Sequence, residues 1–464
     1  MANTTLPTAP GALPLLGHVI PLMHDPLAFL ASLPAYGELV RIRLGPTVAV
    51  VVCDPELTHR VLHDDRTYDR GGVVVDKARE MLGQDSIVTC SHSAHRPLRR
   101  MVQPAFHRDH LPGYAQVMAA HIQAITGGWR DGQIIDVSAE MMAITNRTAL
   151  ETMFSDALAP HVIQQTTDDF AAMFEGAYLR AILPPWLNRL PTPGNRRYLS
   201  ARTRLRKTIA GVVNDRRASS ADHSDLLTVM LPAREPAESG APQSRLQMSD
   251  SEINAQVMTF VVGGVETTAA ALSWALHLLG EHRDVQQRLQ AEVDTVLAGS
   301  PARFDDLPRL TFTGSVFSEA LRLYPPVWLT TRTVTTDTHL GGYPLAAGTT
   351  VVCSPYIIHH RSDLYDNPER FDPDRWNTTH RPASLSHGFI PFVTGARKCI
   401  GDSFATTEAT LALATILARW QLEPLPGPPI RHAAPIILRP RNLRMRVVAR
   451  VTAQPATNPP PRVW

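Results

Sequence analysis

The stretch Phe392-Val393-Thr394-Gly395-Ala396-Arg397-Lys398-Cys399-Ile400-Gly401, followed by helical spacing from about Asp402 to Trp420, decides how the rest of the chain is read. It sets one cysteine at the start of a helix. An isolated cysteine is usually a small buried hydrophobe. Here Gly395 and Gly401 let the backbone come close to something large and flat, and Arg397 brings positive charge. The free N–H groups and dipole of a helix start favour a thiolate. These are the requirements of a sulfur anion that ligates a metal.

Upstream, Ser249-Asp250-Ser251-Glu252 has the form of a capping box, and apolar helical spacing runs from it to about Gly280. Such a helix is about 45 Å long at 1.5 Å per residue, enough to cross a whole domain. Its middle reads Gly263-Gly264-Val265-Glu266-Thr267-Thr268. Two adjacent glycines cost a helix roughly 1 kcal/mol each relative to alanine, so they need a reason. Close packing against a neighbouring helix is one. The other is a groove: the Thr267 hydroxyl can bond the carbonyl four residues back, at Gly263, and loosen the helix there.

Glu319-Ala320-Leu321-Arg322 lies on a helix ended by Pro325-Pro326, with the carboxylate and guanidinium on one face. Alone, such a pair reads as a solvated surface contact worth under about 0.5 kcal/mol. Downstream stands Asn367-Pro368-Glu369-Arg370-Phe371-Asp372-Pro373-Asp374-Arg375-Trp376, and upstream His95-Arg96-Pro97-Leu98-Arg99-Arg100. The neighbours His359 and His360 point apart in any regular element, so no metal pair is expected from them.

The frame is that of a globular protein: 464 residues, 44% hydrophobic and 19% charged, which excludes a fibre or a disordered chain. The 45 Lys+Arg against 43 Asp+Glu leave +2, giving no overall attraction to nucleic acid or an anionic membrane. Four cysteines without a Cys-x-x-Cys exclude a disulfide scaffold and a structural zinc site and fit a reducing cytoplasm. No uncharged apolar run approaches the roughly 20 residues of a membrane span, so no anchor is expected.

A Pro-rich lead-in covers about residues 1–20, a hairpin signal runs from Leu39 to Cys53, and a second sheet region from Val334 to Val352. Helical spacing dominates to about residue 290, as in 113–129, 136–153 and 203–217, while 233–247 reads as a surface loop. The expectation is a mainly α protein with small β-sheets, a single domain over 1–464 whose β-rich lobe draws on about 35–75 and 330–355.

The order Phe-x-x-Gly-x-Arg-x-Cys-x-Gly resembles the haem-binding signature of the cytochrome P450 family at every fixed position, and the other motifs follow in the family's order over about residues 6–450. The residue after Phe392 is often glycine in the family and is Val393 here. The resemblance implies the family's fold, with haem b held between the long central helix and the cysteine loop. Cys399 is then the axial ligand to iron, and Phe392, Gly263 and Gly264 lie against the cofactor. Glu266 and Thr267 become the catalytic acid and alcohol that deliver protons during oxygen activation. His95, Arg99, Arg332 and Arg397 become partners of the haem propionates. Glu319, Arg322 and Arg375 become a structural core, Arg375 rather than Arg370 by alignment to the Pro-x-Arg-Phe element.

The activity implied is that of a monooxygenase inserting one atom of O2 into an unactivated C–H bond. Electrons would come from NAD(P)H through a reductase and a ferredoxin or flavodoxin, since the length leaves no room for a fused reductase. These partners would dock on a basic patch of Arg99, Arg100, Arg397 and Lys398. A monomer without nucleic-acid or membrane partners is expected.

Family position puts Val74, Phe174, Phe260, Val327, Trp328 and Ile436 in the substrate pocket, a mostly apolar lining that suits a compact hydrocarbon. No clear charged anchor for a carboxylate substrate emerges, Arg180 and Lys77 being the charged groups left open. The opening Leu6–His18, Leu39–Pro46, Gln103–His110 and the cysteine run resemble bacterial terpene-oxidising members, implying a cyclic sesquiterpene oxidised in one or more steps in secondary metabolism. Steroid, fatty-acid and macrolide substrates fit the same lining. So do two other classes: a haem-thiolate enzyme that uses peroxide, and a non-catalytic haem or ligand carrier.

Overall fold

The hairpin forms as Leu39–Leu44 antiparallel to Thr47–Val52, in a computed structural model that describes residues 5–155, 159–182, 187–218, 225–231, 248–377, 387–434 and 436–450. The loop read at 233–247 lies outside the described residues. The two strands continue into a five-stranded sheet in the order Leu39–Leu44, Thr47–Val52, Thr350–Cys353, Thr330–Val334, Tyr68–Arg70. Thr47–Val52 pairs parallel with Thr350–Cys353, and the other pairs are antiparallel. β-Branched runs such as Val50-Val51-Val52 fill this sheet because they pack well on a pleated surface, here buried on both faces. Together with Leu39, Trp328 and Ile357 they make one apolar core.

A second, larger core is helical. Its axis is the helix Asp250–Glu281, 32 residues long, whose N-terminus carries the full capping box: the Ser249 hydroxyl accepts from the Glu252 N–H, and the Glu252 carboxylate accepts from the Ser249 N–H. Val257, Val261, Leu272, Ala275 and Leu279 are buried along one of its faces, and Trp274 and Leu276 on others. Helices Val137–Phe154, Thr311–Leu323 and Asp402–Arg419 pack against it. It is also the one helix among the described residues long and apolar enough to cross a membrane, and 72% of its apolar window is buried inside the protein.

The helix read at 203–217 begins earlier, spanning Pro193–Ala218. Pro193 reads locally as a breaker, but the missing N–H of proline costs nothing in a first turn. The Thr192 hydroxyl also accepts from the Asn195 N–H there, and the helix lies along Pro160–Ile182, which supplies the packing its polar start lacks.

Candidate active site

The cysteine loop is built by backbone bonds. The Cys399 N–H donates to the Phe392 carbonyl at 2.9 Å and the Lys398 N–H to Gly395 at 3.0 Å, which folds the segment into a short turn ahead of helix Asp402–Arg419. Two residues of the loop are left-handed, Val393 at φ +60° and Gly395 at φ +76°. Gly395 owes its identity to that φ and to the end of helix Pro55–His63, because a Cβ there would collide with the Leu62 carbonyl. Its role is therefore to admit another part of the chain, not the flat group that the sequence alone invoked. Phe392 packs on the helical core.

Cys399 keeps solvent-accessible surface although protein packs closely around it. That burial pushes its pKa up, while a bond from the Gly401 N–H and the charges of Arg99 and Lys398 pull it down. The Arg99 guanidinium donates to the Lys398 carbonyl at 2.7 Å, so helix His92–Val102 holds the loop from the side.

Arg397 is fully buried and donates to the Cys90 carbonyl and to Asp69, each at 2.9 Å, with Asp65 at 3.6 Å. It therefore adds nothing to an exposed basic patch, a correction to the sequence reading that leaves Arg99, Arg100 and Lys398 there. Asp69 also accepts from the His92 N–H, tying strand Tyr68–Arg70, helix His92–Val102 and the cysteine loop together. No motif marked Asp69 in the sequence.

Strand register sets Arg70 directly opposite Arg332. Like charges so placed repel unless something compensates. Both reach the Thr330 hydroxyl, at 3.0 and 3.1 Å, yet Arg70 Nε and Arg332 Nε and Nη2 have no hydrogen-bond partner among the described residues. Burial lowers both guanidinium pKa values, that of Arg332 to about 10. Beside them His95 is 3% exposed, and burial with the charges of Arg397 and Arg99 holds it down to about 3, so its imidazole is neutral. Unpaired buried guanidinium donors call for carboxylates, and the propionates of haem fit them. Arg70 is a candidate that sequence reading missed, since only strand pairing brings it beside Arg332.

On the central helix the Thr267 hydroxyl donates to the Gly263 carbonyl. Gly263 and Gly264 have no heavy atom within 4 Å of where a side chain would begin, so close helix packing does not explain them. They leave room for a wide planar group. The helix is braced from behind, where the Thr145 hydroxyl donates to the Val265 carbonyl at 3.1 Å. Burial pushes the Glu266 carboxyl pKa up, with Arg439 opposing.

Glu319 and Arg322 are wholly buried, bidentate at 2.9 Å on both arms. Glu319 also accepts from Arg375 Nε at 3.2 Å, Trp376 Nε1 at 3.0 Å and the Asp372 N–H at 3.0 Å, while Arg322 donates to the His359 and Arg370 carbonyls. Arg370 thus contributes its backbone and Arg375 its charge. The surface-pair alternative fails on burial alone.

The pocket candidates are dispersed. Phe260 meets Phe106 edge to face with ring centroids 4.8 Å apart, and Val327 is half-buried. Val74 and Ile436 are exposed, whereas Trp328 is buried in the sheet core. The side chain of Phe174 lies outside the described residues. Lys77 and Arg180 both pair with Glu80, at 3.5 and 3.7 Å.

The family model described as "Cytochrome P450" matches residues 7–446. Pentalenene oxygenase of Streptomyces avermitilis is 42% identical, over 96% of this chain and 98% of that protein. Cyclooctatin synthase of Streptomyces melanosporofaciens is 44% identical over 94% of both, and cyclooctat-9-en-7-ol 5-monooxygenase of the same organism 43% over 91% of both. Among solved structures, the crystal structure of cytochrome P450DA heme domain superposes with a TM-score of 0.85 at 25% identity, covering 97% of this chain and 98% of that one.

Proposed function

Because this chain belongs to the cytochrome P450 family and is a monooxygenase of it, we propose that it oxidises an unactivated C–H bond of a cyclic terpene, in one or more steps. The observation that carries the substrate class is the likeness, at 42–44% identity over nearly the whole chain, to proteins named for pentalenene and cyclooctatin. The engagement of Lys77 and Arg180 with Glu80 agrees with a hydrocarbon rather than a carboxylate substrate.

Haem, when bound, supplies a thiolate-ligated iron whose electron-rich ligand favours O–O cleavage. Cys399 is the residue we assign to that ligation, with Arg332, Arg397, Arg99 and His95, and now Arg70, around the propionates. His95 serves there as a hydrogen-bond donor. Gly263 and Gly264 admit the ring, and Phe392 packs beside it. Glu266, its pKa raised by burial, holds a proton on its carboxyl to higher pH than an exposed glutamate does. Thr267 orients the water that carries that proton: its hydroxyl oxygen accepts a hydrogen bond from water or acid while its own proton is held by Gly263. Glu319, Arg322 and Arg375 hold the scaffold. Arg99, Arg100 and Lys398 receive an acidic ferredoxin or flavodoxin, reduced from NAD(P)H by its reductase.

The test is titration of the purified protein with pentalenene and other cyclic sesquiterpenes and diterpenes, read as a low- to high-spin shift. Turnover with a reconstituted ferredoxin and reductase follows. A saturable shift and an oxygenated product with one terpene support the reading. Turnover of a fatty acid or steroid with no terpene response overturns the substrate class.

A further inference from the structure

We propose that His359 is a positioning residue that ties the Glu319–Arg322 core to the cysteine loop through a single neutral tautomer, and so sets where Cys399 stands. The imidazole is fully buried at the end of the short helix Pro355–His359, and both of its nitrogens are engaged. The Ile390 N–H lies 2.9 Å from Nε2 and can only donate, so Nε2 accepts. The proton is then on Nδ1, which donates to the Arg322 carbonyl at 3.2 Å. The His359 carbonyl in turn accepts from Arg322 Nη1 at 2.9 Å.

From Ile390 the path to the cysteine is two backbone bonds long. The Ile390 carbonyl accepts from the Val393 N–H at 3.0 Å, and the Phe392 carbonyl accepts from the Cys399 N–H at 2.9 Å. Phe389, one residue before Ile390, lies between the His359 ring, 5.4 Å away, and the Trp376 ring, 4.2 Å away, and Trp376 donates to Glu319. The loop is thus gripped from the same buried core by a hydrogen bond and by ring packing.

Simple core filling is the competing account, and an apolar side chain would serve it. Such a side chain leaves the Ile390 N–H and the Arg322 carbonyl without this partner. A charged imidazole fails too, because it would turn an N–H toward the N–H of Ile390. Burial first, then the nearby His360 and Arg322, push the His359 pKa well down and keep the ring neutral.

This inference rests on the reading of Cys399 as the iron ligand, and its test separates the two. His359→Gln keeps an acceptor near the Nε2 position, His359→Asn keeps only a donor near Nδ1, and His359→Leu keeps only bulk. The readouts are the fraction of cysteinate-type band in the carbon monoxide spectrum of the reduced protein and the rate of haem loss to excess apomyoglobin. We expect Gln to stay near wild type, while Asn and Leu lose most of that band and release haem about tenfold faster. Leu matching wild type, or Asn matching it where Gln does not, overturns the tether. If Leu fails to fold, equal behaviour of Gln and Asn overturns it as well. Absence of the band from the wild type removes the ligand reading and the tether with it; a wild-type band that every variant keeps removes the tether alone.

Discussion

The Thr267 hydroxyl is bonded to the Gly263 carbonyl within one helix, at the point where two glycines keep side chains away. With its proton held there, the hydroxyl oxygen keeps its lone pairs for an incoming donor, in keeping with the proton-relay role proposed for Thr267. Thr267→Ala is expected to keep haem and its spectrum but to lose coupling severalfold, with reducing equivalents leaving as hydrogen peroxide. Product and peroxide are measured per NAD(P)H consumed, and full coupling in the variant would remove Thr267 from the relay.

Glu319→Ala leaves Arg322 buried without its counter-ion and strips Arg375 and Trp376 of their acceptor. Breaking a buried pair this way costs about 3–5 kcal/mol. The expected outcome is little or no haem-loaded soluble protein. A thermal midpoint and haem content equal to wild type would contradict the scaffold role.

Val393 sits at φ +60°, a region that β-branched side chains avoid at a cost of about 1–3 kcal/mol. Val393→Gly relieves that strain and is expected to raise the thermal midpoint slightly, the gain being trimmed by the entropy of glycine in the unfolded chain. Gly395→Ala should lower it by several degrees, through its own φ of +76° and its collision with Leu62. Opposite signs at two neighbouring positions, followed at one scan rate, make the test.

Glu408, in helix Asp402–Arg419, is 1% exposed, and burial raises its pKa to about 8. Folding therefore takes up a proton between about pH 4.5, where the unfolded group ionises, and about pH 8. The stabilisation is complete below that window and is lost as pH rises through it, at up to about 1.4 kcal/mol per unit. Glu408→Gln should flatten this fall in a series of denaturation curves from pH 5 to pH 9. An unchanged slope would mean the carboxyl ionises inside the fold.

Much of the site was legible because motifs carry their own geometry. Ser249-x-x-Glu252 specifies a helix start, Glu319-x-x-Arg322 one helix face, and the glycines around Cys399 a tight loop. What stayed hidden depends on residues distant in sequence. Arg70 gains meaning only when strand pairing puts it opposite Arg332, and Asp69 only when it meets Arg397 from 328 positions away. Arg397 looked like surface charge because no local pattern reports that a strand and a helix close over it. His359 and His360 were read as an adjacent pair, whereas the informative contact of His359 is with Ile390, 31 residues on.

The central claim is that Cys399 ligates haem iron as a thiolate, and the carbon monoxide difference spectrum of the dithionite-reduced, haem-loaded protein tests it most directly. The account predicts a strongly red-shifted Soret band in the wild type that is lost in Cys399→Ala. A band at the normal position for histidine-ligated haem in freshly prepared wild type, or a red-shifted band that survives Cys399→Ala, would contradict it.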